Sequence, residues 1–244
     1  RVIVTGCYVE KEDDYLRERF PQIEIVRRKD LLNNSNVNKI HYFSGHTRAF
    51  IKIEDGCAKF CSYCIIPYVR GRVKNREAKE ILEEIEGLAS NGYQEFVITG
   101  VDLGAYEGLP DLLHKLEKLK GVERIRLSSL EPGDISEPLI EILASSPKFC
   151  PHLHIPLQSG DDKMLQLMDR DYTVDNYRKT IAKIREKIPE ICISTDVMVG
   201  FPGEDEEAFK NTARIIEEVG FSRVHCFRYS TREKTRAAKL PNPV

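Results

Sequence analysis

Three cysteines, Cys57, Cys61 and Cys64, stand four and then three positions apart in the stretch "DGCAKFCSYCIIPYVRGRVKNR", and a row of basic residues follows at once. Thiolates are soft ligands that select zinc, copper(I) or iron–sulfur clusters. A structural zinc site normally takes four protein ligands, whereas the local sequence offers three cysteines and no neighbouring histidine. On a four-iron cluster, three thiolates leave one iron without a protein ligand, open to chelation by a substrate or cofactor. Two other readings stand beside this one. A zinc knuckle could be completed from a distance by Cys7 or His46, or the cysteines could be buried with no metal role.

The rest of the chain must position that loop. It has 244 residues, 41% hydrophobic and 31% charged, the composition of a folded globular protein. With 37 basic residues against 39 acidic, no global field attracts a polyanion, so contacts to RNA would be local or lie outside this chain. Seven cysteines, three of them too close together for a disulfide framework, fit a reduced, cytoplasmic protein. No apolar run approaches the ~20 residues that cross a bilayer, so no membrane partner is expected. No heptad or apolar stripe stands out, and a monomer is expected. The opening "RVIVTGCYVE" reads as a strand already under way, so the chain is expected to be a piece of a longer one.

Short apolar runs alternate with helical periodicity. Strands are expected at 49–54, 95–100, 124–129, 152–157, 191–201 and 223–230. Between them, one helix starts near Asn75, with Ile81, Leu82, Ile85, Leu88 and Ala89 on one face, and stops at Asn91-Gly92. Others carry Leu109 to Leu119, Leu139 to Leu143, Tyr177 to Ile188, and Phe209, Ile215, Ile216 and Val219, the last opening at Glu204. Six such units imply a parallel sheet with right-handed crossovers. Without Gly-x-Gly-x-x-Gly after the first strand, an α/β partial (β/α)6 barrel fits better than a dinucleotide fold. The cysteines follow its first strand, at the carboxyl ends where such barrels place their sites. Residues 1–46 form a separate β-α-β piece, too small to fold alone, plus a polar linker; 47–235 form the barrel; 236–244 begin another linker.

The spacing Cys57-x3-Cys61-x2-Cys64, with Tyr63 before the last cysteine, resembles the signature of the radical S-adenosylmethionine (SAM) enzymes. That resemblance implies a TIM-like partial barrel whose [4Fe-4S] cluster has three cysteine ligands, Cys57, Cys61 and Cys64. Its open iron binds SAM, which electron transfer from a low-potential donor cleaves to methionine and a 5′-deoxyadenosyl radical. The motifs "ITGVDLGAY", "RLSSLEP", "HLHIPLQSGDDKML", "STDVMVGFPGE" and "YSTRE" extend the resemblance to the methylthiotransferase family. "RLSSLEP" and "HLHIPLQSG" most resemble the branch acting on N6-threonylcarbamoyladenosine next to the anticodon in tRNA, rather than those for isopentenyladenosine or a ribosomal-protein aspartate. The family also implies a second, auxiliary [4Fe-4S] cluster held by three N-terminal cysteines, of which "VTGCY" supplies only Cys7, and a C-terminal RNA-binding barrel. This chain alone is therefore expected to be inactive in methylthiolation.

The same resemblance places cofactor contacts at strand ends. They fall at Thr99 and Gly100, at Glu131, at Gln158 and Ser159, and at Phe201 in "VGFPGE". Tyr63 in the cysteine loop is a further candidate, as is Asp196 inside the fifth strand, where a buried carboxylate is costly unless paired. Gly100 and the glycines of "VGFPGE" could equally serve only their turns, and Asp196 could be a structural pair. Arg70, Arg72, Lys74 and Arg76 alternate, which would set them on one face of an extended segment, to meet the SAM carboxylate, RNA phosphates or plain solvent. Asn75 stands where the family has serine, and both types cap helices. His152 and His154 share one side of their strand, with core packing expected for at least one. Cys150, Cys192 and Cys226 are expected in the core. "TREKTRAAK" is a candidate RNA contact in which Lys234 stands where many relatives have glycine.

Overall fold

The computed structural model describes residues 2–27, 30, 40, 42–43 and 45–242. Strand β1 (Ile3–Val4), helix α1 (Cys7–Arg19) and strand β2 (Glu24–Ile25) form the expected β-α-β piece, with β1 parallel to β2. Much of the expected linker that follows lies outside the described residues.

The barrel starts with β3 (Ala49–Lys52) and a short β4 (Glu54–Asp55). The cysteine loop leads into α2 (Ile66–Arg70), and β5 (Lys74–Asn75) returns antiparallel to β4. Then come α3 (Ala78–Ser90), β6 (Glu95–Thr99), α4 (Leu109–Leu116), β7 (Arg124–Leu127), α5 (Glu137–Ser145) and β8 (His152–His154). The chain continues through α6 (Asp162–Leu167), α7 (Val174–Lys187), β9 (Cys192–Val199), α8 (Glu206–Val219) and β10 (Arg223–Arg228). Strands β3-β6-β7 and β8-β9-β10 are parallel sheets, joined by parallel bridges Ile125↔Phe149 and Ser129↔His154. The result is the expected six-stranded partial barrel.

Alternation along the strands explains which face is core. Phe96 and Ile98, Ile125 and Leu127, and Ile193 and Val197 are buried together with Ile81, Ile85, Leu112, Leu113, Ile181 and Ile184 of the helices. The opposite, concave face carries Glu95, Thr99, Arg126, His152, His154 and Asp196, which are half-buried. A parallel sheet that is only a core reads as apolar on both faces; here one face is kept polar, and that marks the cavity side.

Three helix expectations are corrected. The helix expected from Asn75 starts at Ala78, because Asn75 is paired with Glu54 and the Arg76 N–H donates to the Ile53 carbonyl at 2.8 Å, holding this segment extended. Phe209 is 48% exposed: the buried stripe of α8 runs Ala208, Thr212, Ile215, Val219, and Phe209 falls beside it. That helix is capped by Asp205, whose carboxylate accepts the Ala208 N–H at 2.8 Å, rather than opening at Glu204.

A second, small core gathers Met164, Met168, Phe201, Ala208 and Ala237, with Tyr63 and Tyr229 against it. It clamps the cysteine loop from below. Ala237 donates its N–H to the Ser62 carbonyl at 2.8 Å and the Gly203 N–H donates to the Asn242 carbonyl at 2.9 Å, so residues 236–242, expected to begin a linker, lie against the barrel.

Candidate cofactor site

The cysteine loop leaves β4 through Gly56, at φ +94°, where an added Cβ would stand 2.3 Å from the Arg72 carbonyl oxygen. Only glycine passes there without displacing backbone. The Cys57 N–H donates to the Gly71 carbonyl at 3.1 Å and the Cys64 N–H to the Cys61 carbonyl at 3.0 Å. Ser62 ties the loop's far side to the end of α6, its N–H on the Met168 carbonyl and its hydroxyl on that of Leu167. Inside the loop, Lys59 reaches Asp134 at 2.5 Å and Asp102 at 3.2 Å, lashing it to the segments that follow β7 and β6.

All seven cysteines are free thiols, and Cys57, Cys61 and Cys64 are half-buried. The Lys59 N–H donates to the Cys57 sulfur at 3.4 Å, and a guanidinium N–H of Arg170 donates to the Cys61 sulfur at 3.0 Å. Burial pushes the Cys57 thiol up to about 11; the Lys59 N–H opposes this and the Asp102 charge adds to it. Among the described residues, no three His, Cys, Asp or Glu side chains already stand together as a metal-holding group. The donor chemistry nevertheless fits a cluster. One loop supplies three sulfur donors, with an N–H and a guanidinium directed at two of them, the hydrogen bonds that stabilise thiolate.

Arg170 is the residue that sequence reasoning missed. Its side chain is 3% exposed, ion-paired to Glu131 and stacked 5.1 Å from the Tyr172 ring centroid. In "MDRDYT" it reads as one charge among charges; only the fold shows it buried. Glu131, expected to reach the cofactor, is held by this partner. Tyr63 packs edge-on to Phe201 at 6.3 Å, and burial pushes its phenol up. Phe201 is fully buried in the small core, with Tyr229 at 5.2 Å on its other side.

Thr99 closes β6, its carbonyl accepting the Ile53 N–H at 2.9 Å. A Cβ on Gly100 would collide with the Glu54 carboxylate, at 1.9 Å. Glu54 itself is fully buried and accepts the Asp102 N–H at 2.7 Å; burial raises its carboxyl, while the N–H groups of Asp102 and Val101 oppose the rise. Gly100 thus has a packing reason of its own. Gln158 sits at φ +62°, a left-handed conformation, between the Asp196 carbonyl (2.8 Å) and the Met198 N–H (2.8 Å). Ser159 is fully buried, and its hydroxyl meets that of Thr212 on α8 at 3.3 Å.

Asp196 points into the concave face and pairs with His154 Nε2 at 3.2 Å. The other nitrogen of His154, Nδ1, lies 2.9 Å from the Ser194 hydroxyl, which is also 3.0 Å from His152 Nε2. Burial first, then Arg126, holds His152 below the usual imidazole value, so it is neutral at neutral pH. Every donor is satisfied when His152 donates to Ser194, Ser194 to His154, and His154 to Asp196. Both histidines are therefore polar links on the cavity side rather than core packing.

The basic row is broken once. Gly71, at φ +79°, ends α2 and turns the chain, so Arg70 does not share one extended face with Arg72, Lys74 and Arg76. Arg70 reaches Asp55 at 3.2 Å and donates from Nε to the Cys7 sulfur at 3.2 Å. Arg76 pairs with the buried Glu84 at 2.7 Å. Arg72 and Lys74 stay exposed. Two of the cysteines expected in the core are exposed, Cys192 at the very start of β9 and Cys226 on the edge strand β10; Cys150 is half-buried. Lys234 has φ +71°, the left-handed conformation that glycine takes without strain.

The family model described as Radical SAM superfamily matches residues 51–216. The chain belongs to the radical SAM superfamily. Its curated relatives are methylthiotransferases, as the motifs imply. Threonylcarbamoyladenosine tRNA methylthiotransferase MtaB of Chlamydia pneumoniae is 40% identical over the whole of this chain and 61% of that protein. tRNA-2-methylthio-N(6)-dimethylallyladenosine synthase of Syntrophobacter fumaroxidans is 39% identical with the same coverage, and that of Caldicellulosiruptor saccharolyticus 44% over 80% of this chain and 43% of its own. The chain thus spans about three-fifths of the length of the first two. Among solved structures, the radical SAM methyltransferase TsrM of Kitasatospora setae superposes with a TM-score of 0.68 at 18% identity, over 78% of this chain and 38% of its own. Coproporphyrinogen III oxidase HemN of Escherichia coli gives 0.58 at 16%, over 80% and 48%. These structural likenesses establish the fold.

Proposed function

We propose that the full-length parent protein transfers a methylthio group to carbon two of N6-threonylcarbamoyladenosine next to the anticodon in tRNA. Relatives of both the threonylcarbamoyl and the dimethylallyl branch match this chain at similar identity. The observation that favours the first is the concave face of the barrel. A dimethylallyl group is pure hydrocarbon and is best bound by an apolar lining. A threonylcarbamoyl group carries a carboxylate, a hydroxyl and a urea, which need cations and hydrogen-bonding groups. The concave face offers Thr99, Arg126 in its ion pair with Glu95, His152, Ser194, His154 and Asp196, beside the apolar Phe50, Val97, Met198 and Phe227 that strand register sets on the same face.

In this reading Cys57, Cys61 and Cys64 hold a four-iron cluster, and Cys7 is one ligand of an auxiliary cluster. With SAM bound, the first supplies radical chemistry able to activate a carbon–hydrogen bond. Lys59, Asp102 and Asp134 fix the loop that carries the thiols. Arg170 and Glu131 brace Cys61 from the barrel side. The enzyme acts as a cytoplasmic monomer with tRNA and a low-potential electron donor as partners. Among the described residues, no helix is long and apolar enough to cross a membrane.

The test is nucleoside mass spectrometry of tRNA from an anaerobic bacterial host that lacks its own methylthiotransferases and expresses the full-length parent gene. A methylthio group on threonylcarbamoyladenosine is expected. The group on isopentenyladenosine would keep the class and overturn the branch. Unchanged tRNA, from a protein with its clusters intact, would move the substrate off RNA.

A further inference from the structure

Phe60 and Tyr68 form an aromatic pair on the protein surface, with ring centroids 5.6 Å apart and planes at 77°. Phe60 lies inside the cysteine motif, between Cys57 and Cys61, and Tyr68 on α2, four residues after Cys64. They are 42% and 59% exposed. A single exposed aromatic needs no explanation, but this pair has a second peculiarity. Phe60 has φ +47°, a conformation unfavourable for a bulky side chain. Arg236 holds it there, donating to the Phe60 carbonyl while pairing with Asp169 at 2.8 Å. Strain that presents an apolar ring to water beside a catalytic loop calls for an occupant.

The surroundings indicate which one. Arg72 and Lys74, on the return toward β5, are exposed and have no acidic partner among the described residues. Arg236 is 55% exposed despite its ion pair. Arg236 touches Phe60, and Arg72 meets the same loop where its carbonyl lies against Gly56. Exposed rings with cations on the same loop make an arrangement that binds single-stranded RNA, in which an unstacked base lies on an aromatic face and cations meet its phosphates. We infer that the Phe60–Tyr68 pair is a stacking platform for an unpaired loop nucleotide of the RNA substrate, neighbouring the adenosine that is modified. This rests on the proposed tRNA substrate and adds to it a site of contact. The platform is sequence-tolerant, because every base has a π-face, and it holds the loop in register beside the thiols.

The experiment uses the full-length enzyme with its clusters and an anticodon stem-loop RNA bearing 5-iodouridine at a loop position next to the target adenosine. Photocrosslinks are mapped by mass spectrometry, and Kd is measured by fluorescence anisotropy for wild type, Tyr68→Phe and Tyr68→Leu, with iron content as the check on folding. The crosslink is expected at Phe60 or Tyr68. Tyr68→Phe should bind like wild type, and Tyr68→Leu, which keeps apolar bulk but loses the ring, should raise Kd roughly ten-fold or more. A crosslink elsewhere, or Tyr68→Leu binding like wild type, overturns the platform and leaves the tRNA reading standing. If wild type binds no stem-loop at all, the substrate reading falls and takes the platform with it.

Discussion

Replacing Lys59 by methionine tests how the cysteine loop is held. The ammonium lies 3.2 Å from Asp102, whose side chain is 5% exposed, and 2.5 Å from Asp134, which like Lys59 is 20% exposed. Methionine keeps the length and apolar stem but strands two carboxylates in a site where burial already raises that of Asp134. Removing one partner of a fully buried pair costs about 3–5 kcal/mol. The one-fifth exposure of two of the three groups reduces this, to about 2–3 kcal/mol. For a domain of this size that corresponds to a fall in Tm of about 5–10 °C. The assay is thermal unfolding of the parent protein, followed by circular dichroism at one scan rate, for wild type, Lys59→Met and Lys59→Met/Asp134→Asn. The double variant removes one stranded charge and should recover part of the loss. The lash is refuted if Lys59→Met melts within about 1 °C of wild type, or if the double variant is less stable than the single.

Three further outcomes follow from the same geometry. Gly56→Ala forces a Cβ to 2.3 Å from the Arg72 carbonyl at positive φ, so the β4–β5 pairing should open; protection of the Arg76 amide in hydrogen exchange would drop sharply, and unchanged protection would contradict the fit. Hydrogen bonds from Arg126 foremost hold the Glu95 carboxyl below its ordinary value of 4.5. Its stabilisation is therefore present above that pH and lost as pH falls through the lower folded value, so Glu95→Gln should differ most from wild type at pH 7 and converge with it in acid. A denaturation midpoint difference independent of pH would refute this. Thr195→Val removes a buried hydroxyl that donates to the Ile155 carbonyl at 2.8 Å and accepts the Leu157 N–H at 2.9 Å. The carbonyl keeps the Tyr177 hydroxyl at 2.8 Å and the N–H keeps the Asp196 carbonyl at 3.2 Å, so the loss should be about 0.5–1.5 kcal/mol in denaturant unfolding, and a larger one would contradict the shared bonding.

The barrel was legible because its strands and helices differ in period. Ile81, Ile85 and Leu88 keep helical spacing, and "AFIKIE" alternates, so the order of elements could be written down from the chain. The cysteine loop was legible because metal ligation demands fixed residue types at fixed spacing. What escaped were features set by non-local contacts. Nothing in "MDRDYT" says that Arg170 is buried against Glu131 and Cys61, since local charge density suggests a solvated turn. Arg70 to Arg76 looked like one face because alternation assumes an extended chain, and Gly71 sets Arg70 apart from the other three. Cys226 looked like core because small thiols usually are, but β10 is the edge strand and its side chain is exposed. Gly100 could be read from sequence as a cofactor contact or as an ordinary turn glycine. The Glu54 carboxylate beneath it adds a packing reason that no local pattern shows.

The central claim is that the Cys57, Cys61 and Cys64 loop carries a cluster that cleaves SAM, and the most direct measurement compares anaerobically purified full-length protein with its Cys61→Ala variant. Iron per chain and 5′-deoxyadenosine formed from SAM after addition of a strong reductant are read together. The wild type should be brown and form deoxyadenosine, and Cys61→Ala should lose iron and form none. A colourless wild type holding zinc, or a Cys61→Ala variant that forms as much deoxyadenosine as wild type, would contradict the account.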